Sequence, residues 1–206
     1  MRLAAIYDIH GNLPALEAVL QDIRHAEVDQ IVVGGDVVPG PMPRETLACL
    51  LDLDIPVKFI YGNGERAVLA ELAGTDTSGV PARFREVVRW VGQQLQPEYE
   101  RLLPVFEGVN VPLVACGHTH MQVDRTIGRI RVVNAGSVGM PFGEPDAYWL
   151  LLGPDVQFRH TRYDLTKAAE RVRDTNYPLA QDFAASDVLQ PPSEAEALER
   201  FIPVAL

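Results

Sequence analysis

Six side chains of metal-ligating type follow directly on short hydrophobic runs in this chain. Residues 3–7 end in Asp8-Ile9-His10, residues 30–33 in Gly34-Gly35-Asp36, residues 57–61 in Gly62-Asn63, and residues 112–116 in Gly117-His118-Thr119-His120. If the runs are strands, two carboxylates, one amide oxygen and three imidazoles stand at strand ends. Open α/β sheets bind their ligands there. Hard oxygen mixed with borderline nitrogen suits Mn, Fe or Zn better than Ca or Mg.

The donors divide between two divalent ions. Asp36 stands alone after a glycine pair, where one carboxylate can bridge ions about 3.5–4 Å apart. Metal one is expected on Asp8, His10, Asp36 and His120, and metal two on Asp36, Asn63 and His118. Such a pair clamps phosphate oxygens and lowers the pKa of a shared water towards neutrality, giving a hydroxide for in-line attack on phosphorus. The expected reaction class is metal-assisted phosphoester hydrolysis, with Asp36, Asn63 and His118 as the catalytic residues.

These side chains need a sheet to hold them, and the first half of the chain alternates strand with helix. Leu13, Leu16, Val19, Leu20 and Ile23 form a 3.6-residue stripe, with Asn12 as N-cap and Pro14 in the first turn. Further helices are expected near 44–53, 65–72 and 83–95, between strands at 30–33 and 57–61. This is the order of a parallel sheet. From residue 111 strand follows strand: 111–116, 122–126, 129–134, 147–152 and 156–163. Asp164 then caps a helix over 165–173. A tail from Ala184 carries Pro191-Pro192 and a capping box of Ser193 with Glu196. Two packed sheets with helices outside follow from this order, in a single domain over 1–206 whose tail, 185–206, packs on it or extends from it.

Composition limits the partners. The chain has 206 residues, 47% hydrophobic and 22% charged, with a formal charge of −10. That charge argues against a nucleic-acid polymer but not against a small anionic substrate, because bound cations reverse the local field. The opening apolar run is too short for a signal peptide, and no run nears the roughly 20 apolar residues of a membrane span. Cys49 and Cys116 read as reduced thiols in a helix and a strand, which fits a cytoplasmic protein. A homo-oligomer is compatible with all of this.

The blocks Asp8-Ile9-His10-Gly11-Asn12, Gly35-Asp36 with Gly40-Pro41, Gly62-Asn63 and Gly117-His118-Thr119-His120 resemble the signatures of the calcineurin-like metallophosphoesterases. Asn134-Ala135-Gly136-Ser137-Val138-Gly139 resembles the loop that follows in the small bacterial phosphodiesterase-like branch. The resemblance runs in order from Met1 to about Tyr163. It implies a four-layer α/β-β/α sandwich, a dinuclear centre of Mn, Zn or Fe, and hydrolysis of phosphodiesters or nucleotide-like phosphoesters.

Two departures stand out. Many relatives carry a His after the Asn ligand as general acid, where this chain has Gly64. Losing such an acid forfeits about 10²–10⁴ in rate, least for substrates with good leaving groups. The family also places a further metal-two His between the Asn block and the Gly-His-Thr-His block, and no His lies between Asn63 and His118. Residues 90–95 resemble the helix before that missing strand, and 101–109 the segment after it. A strand pair of roughly 30–40 residues is therefore expected to be missing near Glu100-Arg101. Either the protein lacks it or it was left out of the chain; the second is favoured, because deletion exposes two new sheet edges. The absent His keeps a second function class open, a catalytically weak or inactive binding scaffold on the same fold.

Remaining polar residues carry weaker readings. Asn12 and Arg66 are the candidate substrate contacts, although capping already explains Asn12 and a helix-surface salt bridge competes for Arg66. Arg125 carries the same two readings. Ser137 is expected to line the site without acting as a nucleophile. His25 belongs to a solvated helix face, His160 to a structural or exposed strand, and Phe84, Val87 and Trp90 to the core.

Overall fold

Strand β1 (Leu3–Ile6) lies at the centre of the molecule, and its alternating side chains feed two cores. Ala4 and Ile6 point into a large core shared with helices, while Ala5 and Tyr7 point into a smaller one between two sheets. This computed structural model describes residues 1–72, 74–75, 77–95, 113–127 and 130–201.

Helix α1 (Leu13–His25) starts on Asn12, whose Oδ1 accepts the Ala15 N–H at 3.3 Å. Its buried face carries Leu16, Val19, Leu20 and Ile23, as the stripe predicts. Then follow β2 (Gln30–Val33), α2 (Pro43–Leu51), β3 (Val57–Phe59), α3 (Asn63–Leu72) and α4 (Ala82–Leu95). Sequence placed the starts of α2 and α3 one and two residues later. Proline fits a first helical turn, where its missing N–H would have had no partner, so Pro43 joins α2. Asn63 opens α3 rather than preceding it.

The late strands are β4 (Leu113–Cys116), β5 (Gln122–Ile127), β6 (Ile130–Ala135), β7 (Ala147–Leu152) and β8 (Val156–Thr161). One sheet has the order β3-β2-β1-β7-β8, with β1, β2 and β3 parallel and β7 antiparallel to β1. The other is β4-β6-β5. Ala5, Tyr7 and Leu150 of the first sheet pack on Val133 and Ala135 of the second, and the Tyr7 hydroxyl donates across to the Ala115 carbonyl at 2.9 Å. The helices bury their apolar stripes with the outer face of the five-stranded sheet. Two packed sheets flanked by helices are thus the architecture that the resemblance implies.

Buried Trp149 ties this helix layer to its sheet. Its indole N–H donates to Thr161 Oγ1 at 3.0 Å, and that hydroxyl donates to Asp22 of α1 at 2.6 Å. After β8, Asp164 caps α5 (Leu165–Arg173), accepting the Lys167 N–H at 3.0 Å. A short helix α6 (Ala180–Phe183) runs into a π-helical turn, Ala184–Leu189, before α7 (Glu194–Phe201). Fully buried Val188 belongs to the large core. The Ser193–Glu196 capping box forms, with the Ser193 N–H donating at 2.8 Å and the Glu196 N–H at 3.3 Å.

Among the described residues no helix is long and apolar enough to cross a membrane. The expected break at Glu100-Arg101 lies outside the described residues.

Candidate metal centre

The parallel strands β1, β2 and β3 all end on the same edge, so Asp8, Asp36 and Asn63 emerge side by side. β4 of the other sheet ends beside them and adds His118 and His120. The turns are joined through their backbones: Asp8 N–H donates to Gly35 O at 3.1 Å, His10 N–H to Asp36 O at 2.9 Å, and Gly11 N–H to Val37 O at 2.7 Å.

Five of the six expected ligands have left-handed backbones. Asp8, His10, Asp36, His118 and His120 have φ between 49° and 73°. Such angles are uncommon outside glycine and gather at functional sites. The turns aim these side chains off the strand ends instead of along them.

Asp8, His10 and His120 converge, each offering a donor atom within 4.8 Å of the others. The His10 and His120 Nε2 atoms lie 3.3 Å apart, and His120 Nε2 is 3.6 Å from Asp8 Oδ1. Both rings turn Nδ1 outward: His10 to the Pro39 carbonyl at 3.1 Å, His120 to the Met140 carbonyl at 2.7 Å. A carbonyl only accepts, so both Nδ1 atoms carry hydrogen and both Nε2 lone pairs face inward. An ion with bonds of about 2.1 Å would span donors at that separation at a near-tetrahedral angle. The residues fit a divalent cation.

The electrostatics of His10 and Asp8 agree with that fit, while His120 must give up a proton to join them. Burial, aided by the His120 charge, pulls the His10 pKa down to about 4, so the ring is neutral as a ligand must be. Burial opposes charge on Asp8, but the His120 hydrogen bond and both imidazoles outweigh it and hold the carboxyl below its ordinary value. For His120, burial is outweighed by the bond to Asp8, and the pKa is raised.

Asp36 stands beside this trio and not within it. Its Oδ1 accepts the Gly64 N–H at 2.7 Å, and burial raises its pKa. His118 donates its backbone N–H to Asp8 Oδ2 at 2.7 Å, with its side chain exposed. Exposed Asn63 shares a cavity lining with His10, Asp36 and Arg66. Thus three of the four donors expected for metal one are gathered, while Asp36 and His118 stand outside that cluster and Asn63 shares the cavity lining with His10 and Asp36. Asn12 is fully buried: its Oδ1 caps α1 and its amide donates to the Gly139 carbonyl at 2.9 Å. It has no surface to offer a substrate, which corrects that expectation. Arg66 is exposed and has no ion-pair partner among the described residues, so the competing salt bridge is not formed there.

Several supports escaped the sequence reading. Glu65, 3% exposed, accepts N–H bonds from Asp36 and Gly62 on one oxygen and from Val37 and Val38 on the other, at 2.7–3.2 Å. It is the anchor of the Asp36 turn. Its position in the first turn of a helix, where a carboxylate is favoured, was the available signal. Ser137, fully buried, donates to the Asp8 carbonyl at 2.7 Å and accepts the Met140 N–H at 2.8 Å. Asn134 donates to Gly117 O and Thr119 Oγ1 at 2.8 and 2.9 Å, bracing the His118–His120 turn.

Other residues have structural places. His160 meets Gln122 Oε1 at 3.0 Å and packs on Tyr148, and His25 is exposed at the end of α1. Arg125 lies on exposed β5. Both cysteines are free thiols. Phe84 departs from its expected core role: Val87 is buried, but Phe84 is 40% exposed and lines the cavity beside the metal residues.

Two packed sheets thus bring carboxylates and imidazoles together at their strand ends, in a cluster that could hold a divalent cation. The chain belongs to the calcineurin-like phosphoesterase superfamily, whose domain model matches residues 1–153. It is 29% identical over 175 residues to phosphodiesterase YfcE of Escherichia coli strain K12, covering 76% of this chain and 89% of that protein. A metallophosphoesterase crystal structure from Sphaerobacter thermophilus superposes with a TM-score of 0.70 at 27% identity, over 90% of this chain and 99% of that one. Hypothetical protein PH1004 from Pyrococcus horikoshii OT3 shares the fold, with a TM-score of 0.74 at 19% identity over 93% and 99%.

Proposed function

We propose that this enzyme hydrolyses phosphodiesters at a dinuclear centre of Mn, Zn or Fe, with Asp36 shared between the ions. The observation that carries this reading is the convergence of Asp8, His10 and His120 beside a cavity also lined by Asp36, Asn63 and Arg66. Asp8, His10, Asp36 and His120 would hold one ion; Asp36, Asn63 and His118 would hold the other. Bound ions supply Lewis acidity towards phosphate oxygens and a nucleophilic hydroxide at neutral pH. The chain's own residues do the rest. Pro39 and Met140 carbonyls keep the imidazoles oriented, Glu65 holds Asp36 in place, and Arg66 offers a planar fork to a phosphate.

Gly64 narrows the substrate. It supplies no side chain to protonate a leaving group, so esters of acidic alcohols or phenols react best. The 29% identity to a protein named a phosphodiesterase favours a small diester.

The test is hydrolysis of bis(p-nitrophenyl) phosphate by protein loaded with Mn or Zn. Turnover is expected, and Asp36→Asn should lower it by more than about 10²-fold. No turnover at full metal occupancy would favour the binding scaffold, for which the missing His between Asn63 and His118 argues.

A further inference from the structure

The metal residues open on a cavity of about 530 Å³, a volume typical of small-molecule sites. His10, Asp36, Asn63 and Arg66 form one end of it. Away from that end the wall changes character. α4 contributes Phe84 and Val88, and the stretch after α5 contributes Tyr177 and Phe183. Tyr177 and Phe183 meet edge to face with ring centroids 6.0 Å apart, and Tyr177 meets Trp90 likewise at 5.5 Å. Phe183 and Val88 are anchored in the core, whereas Phe84 keeps 40% of its surface open.

Charge divides the cavity as well. Arg66 brings a cation to the metal end, while Asp182 and Asp187 stand on the wall built by the later stretch. A substrate lying along this cavity meets positive charge and metal donors at its phosphate. It meets apolar surface and carboxylates beyond. A second anionic group would pay repulsion there, whereas an uncharged ring gains burial against aromatic faces.

We infer that this cavity receives an uncharged, ring-bearing substituent of the phosphodiester, and that Phe84 together with residues 177–187 sets this preference. The inference rests on the phosphodiesterase reading for the identity of the phosphate-bearing end. Phe84 and Val88 lie within the family match, which ends at residue 153, whereas Tyr177, Asp182, Phe183 and Asp187, which complete the wall, lie beyond it. The same four observations, continuity with the metal centre, volume, aromatic walls and charge, select the occupant.

Two measurements test this. In the first, Mn-loaded protein is titrated calorimetrically with methylphosphonate and with phenylphosphonate. The phenyl compound should bind about 10- to 100-fold more tightly, the gain expected from burying a ring. In the second, p-nitrophenyl methyl phosphate is compared with p-nitrophenyl phenyl phosphate, and KM should fall by a similar factor. Phe84→Ala should bring both ratios towards one. Asp182→Asn, at an exposed position, should improve turnover of a diester whose ring bears a carboxylate. Equal affinity for methyl and phenyl compounds overturns the inference, whatever the turnover. A clear phenyl preference without turnover sustains the cavity and overturns the phosphodiesterase reading instead.

Discussion

Nε2 of His10 faces Nε2 of His120 at 3.3 Å, while the carbonyls of Pro39 and Met140 hold the ring protons on the opposite nitrogens. Two opposed lone pairs require a cation between them. In metal-free protein a proton on His120 can take that place, favoured by Asp8, which lies 3.6 Å from its Nε2 and raises its pKa.

The stability of the metal-free protein should therefore pass through a maximum near neutrality. Burial and then the His120 charge lower His10 from 6.5 to about 4. Between those values the unfolded chain binds more protons, so acidification through this window destabilises the fold. His120 is raised above 6.5 despite burial, through its bond to Asp8. Its contribution is complete below the ordinary value and is lost as pH rises through the folded one. Thermal unfolding across this range, with chelator and with Mn, checks this. Metal should abolish the alkaline decline, and a decline unchanged by metal contradicts the arrangement.

Glu65→Gln should weaken both the fold and the site. The carboxylate accepts two N–H groups on each oxygen, and an amide nitrogen can accept none. Leaving two buried donors unpaired costs roughly 2–4 kcal/mol. Loosening the Asp36 turn should also weaken metal affinity by about 10–100-fold. Denaturant unfolding and metal titration read the two effects separately; a fall in stability with unchanged affinity would confine Glu65 to the scaffold.

Installing the acid found in many relatives should fail. A Cβ on residue 64 would lie 2.2 Å from Pro39 Cγ and 2.9 Å from Asp36 Oδ1. Even Gly64→Ala is expected to cost about 1–3 kcal/mol through overpacking. Gly64→His should lower kcat, because it displaces Asp36 before it can donate a proton. A rise in kcat with a poor leaving group would show that the turn yields.

Asn12→Ala separates capping from substrate contact. Loss of the cap and of the bond to the Gly139 carbonyl should cost roughly 1–3 kcal/mol in chemical unfolding. KM should stay unchanged, since the side chain has no exposed surface. A tenfold or greater rise in KM would restore it to the substrate site.

What the sequence disclosed was local. The stripe of α1, the Asn12 cap and the donors after β1, β2 and β4 sit within a few residues of the patterns that announce them. Glu65 stayed hidden because three of its four donors come from residues 36–38, almost thirty positions away. Phe84 was misread for a related reason. Periodicity shows that a helix has an apolar face, but not whether that face meets a core or a cavity. The cavity wall around Tyr177 and Phe183 carries no motif, and only tertiary packing brings it to the metal end.

The left-handed turns bear on how such a site decays over time. Each non-glycine residue in that conformation strains the backbone by about 1–2 kcal/mol, and five of the six candidate ligands adopt it. Glycine is the replacement the backbone accepts most readily, and it removes the donor. Erosion of the metal centre therefore runs downhill in conformational energy, one ligand at a time, with the sandwich left intact. The fold thus holds its metal donors against a local backbone preference that, followed to its end, keeps the shape and loses the chemistry.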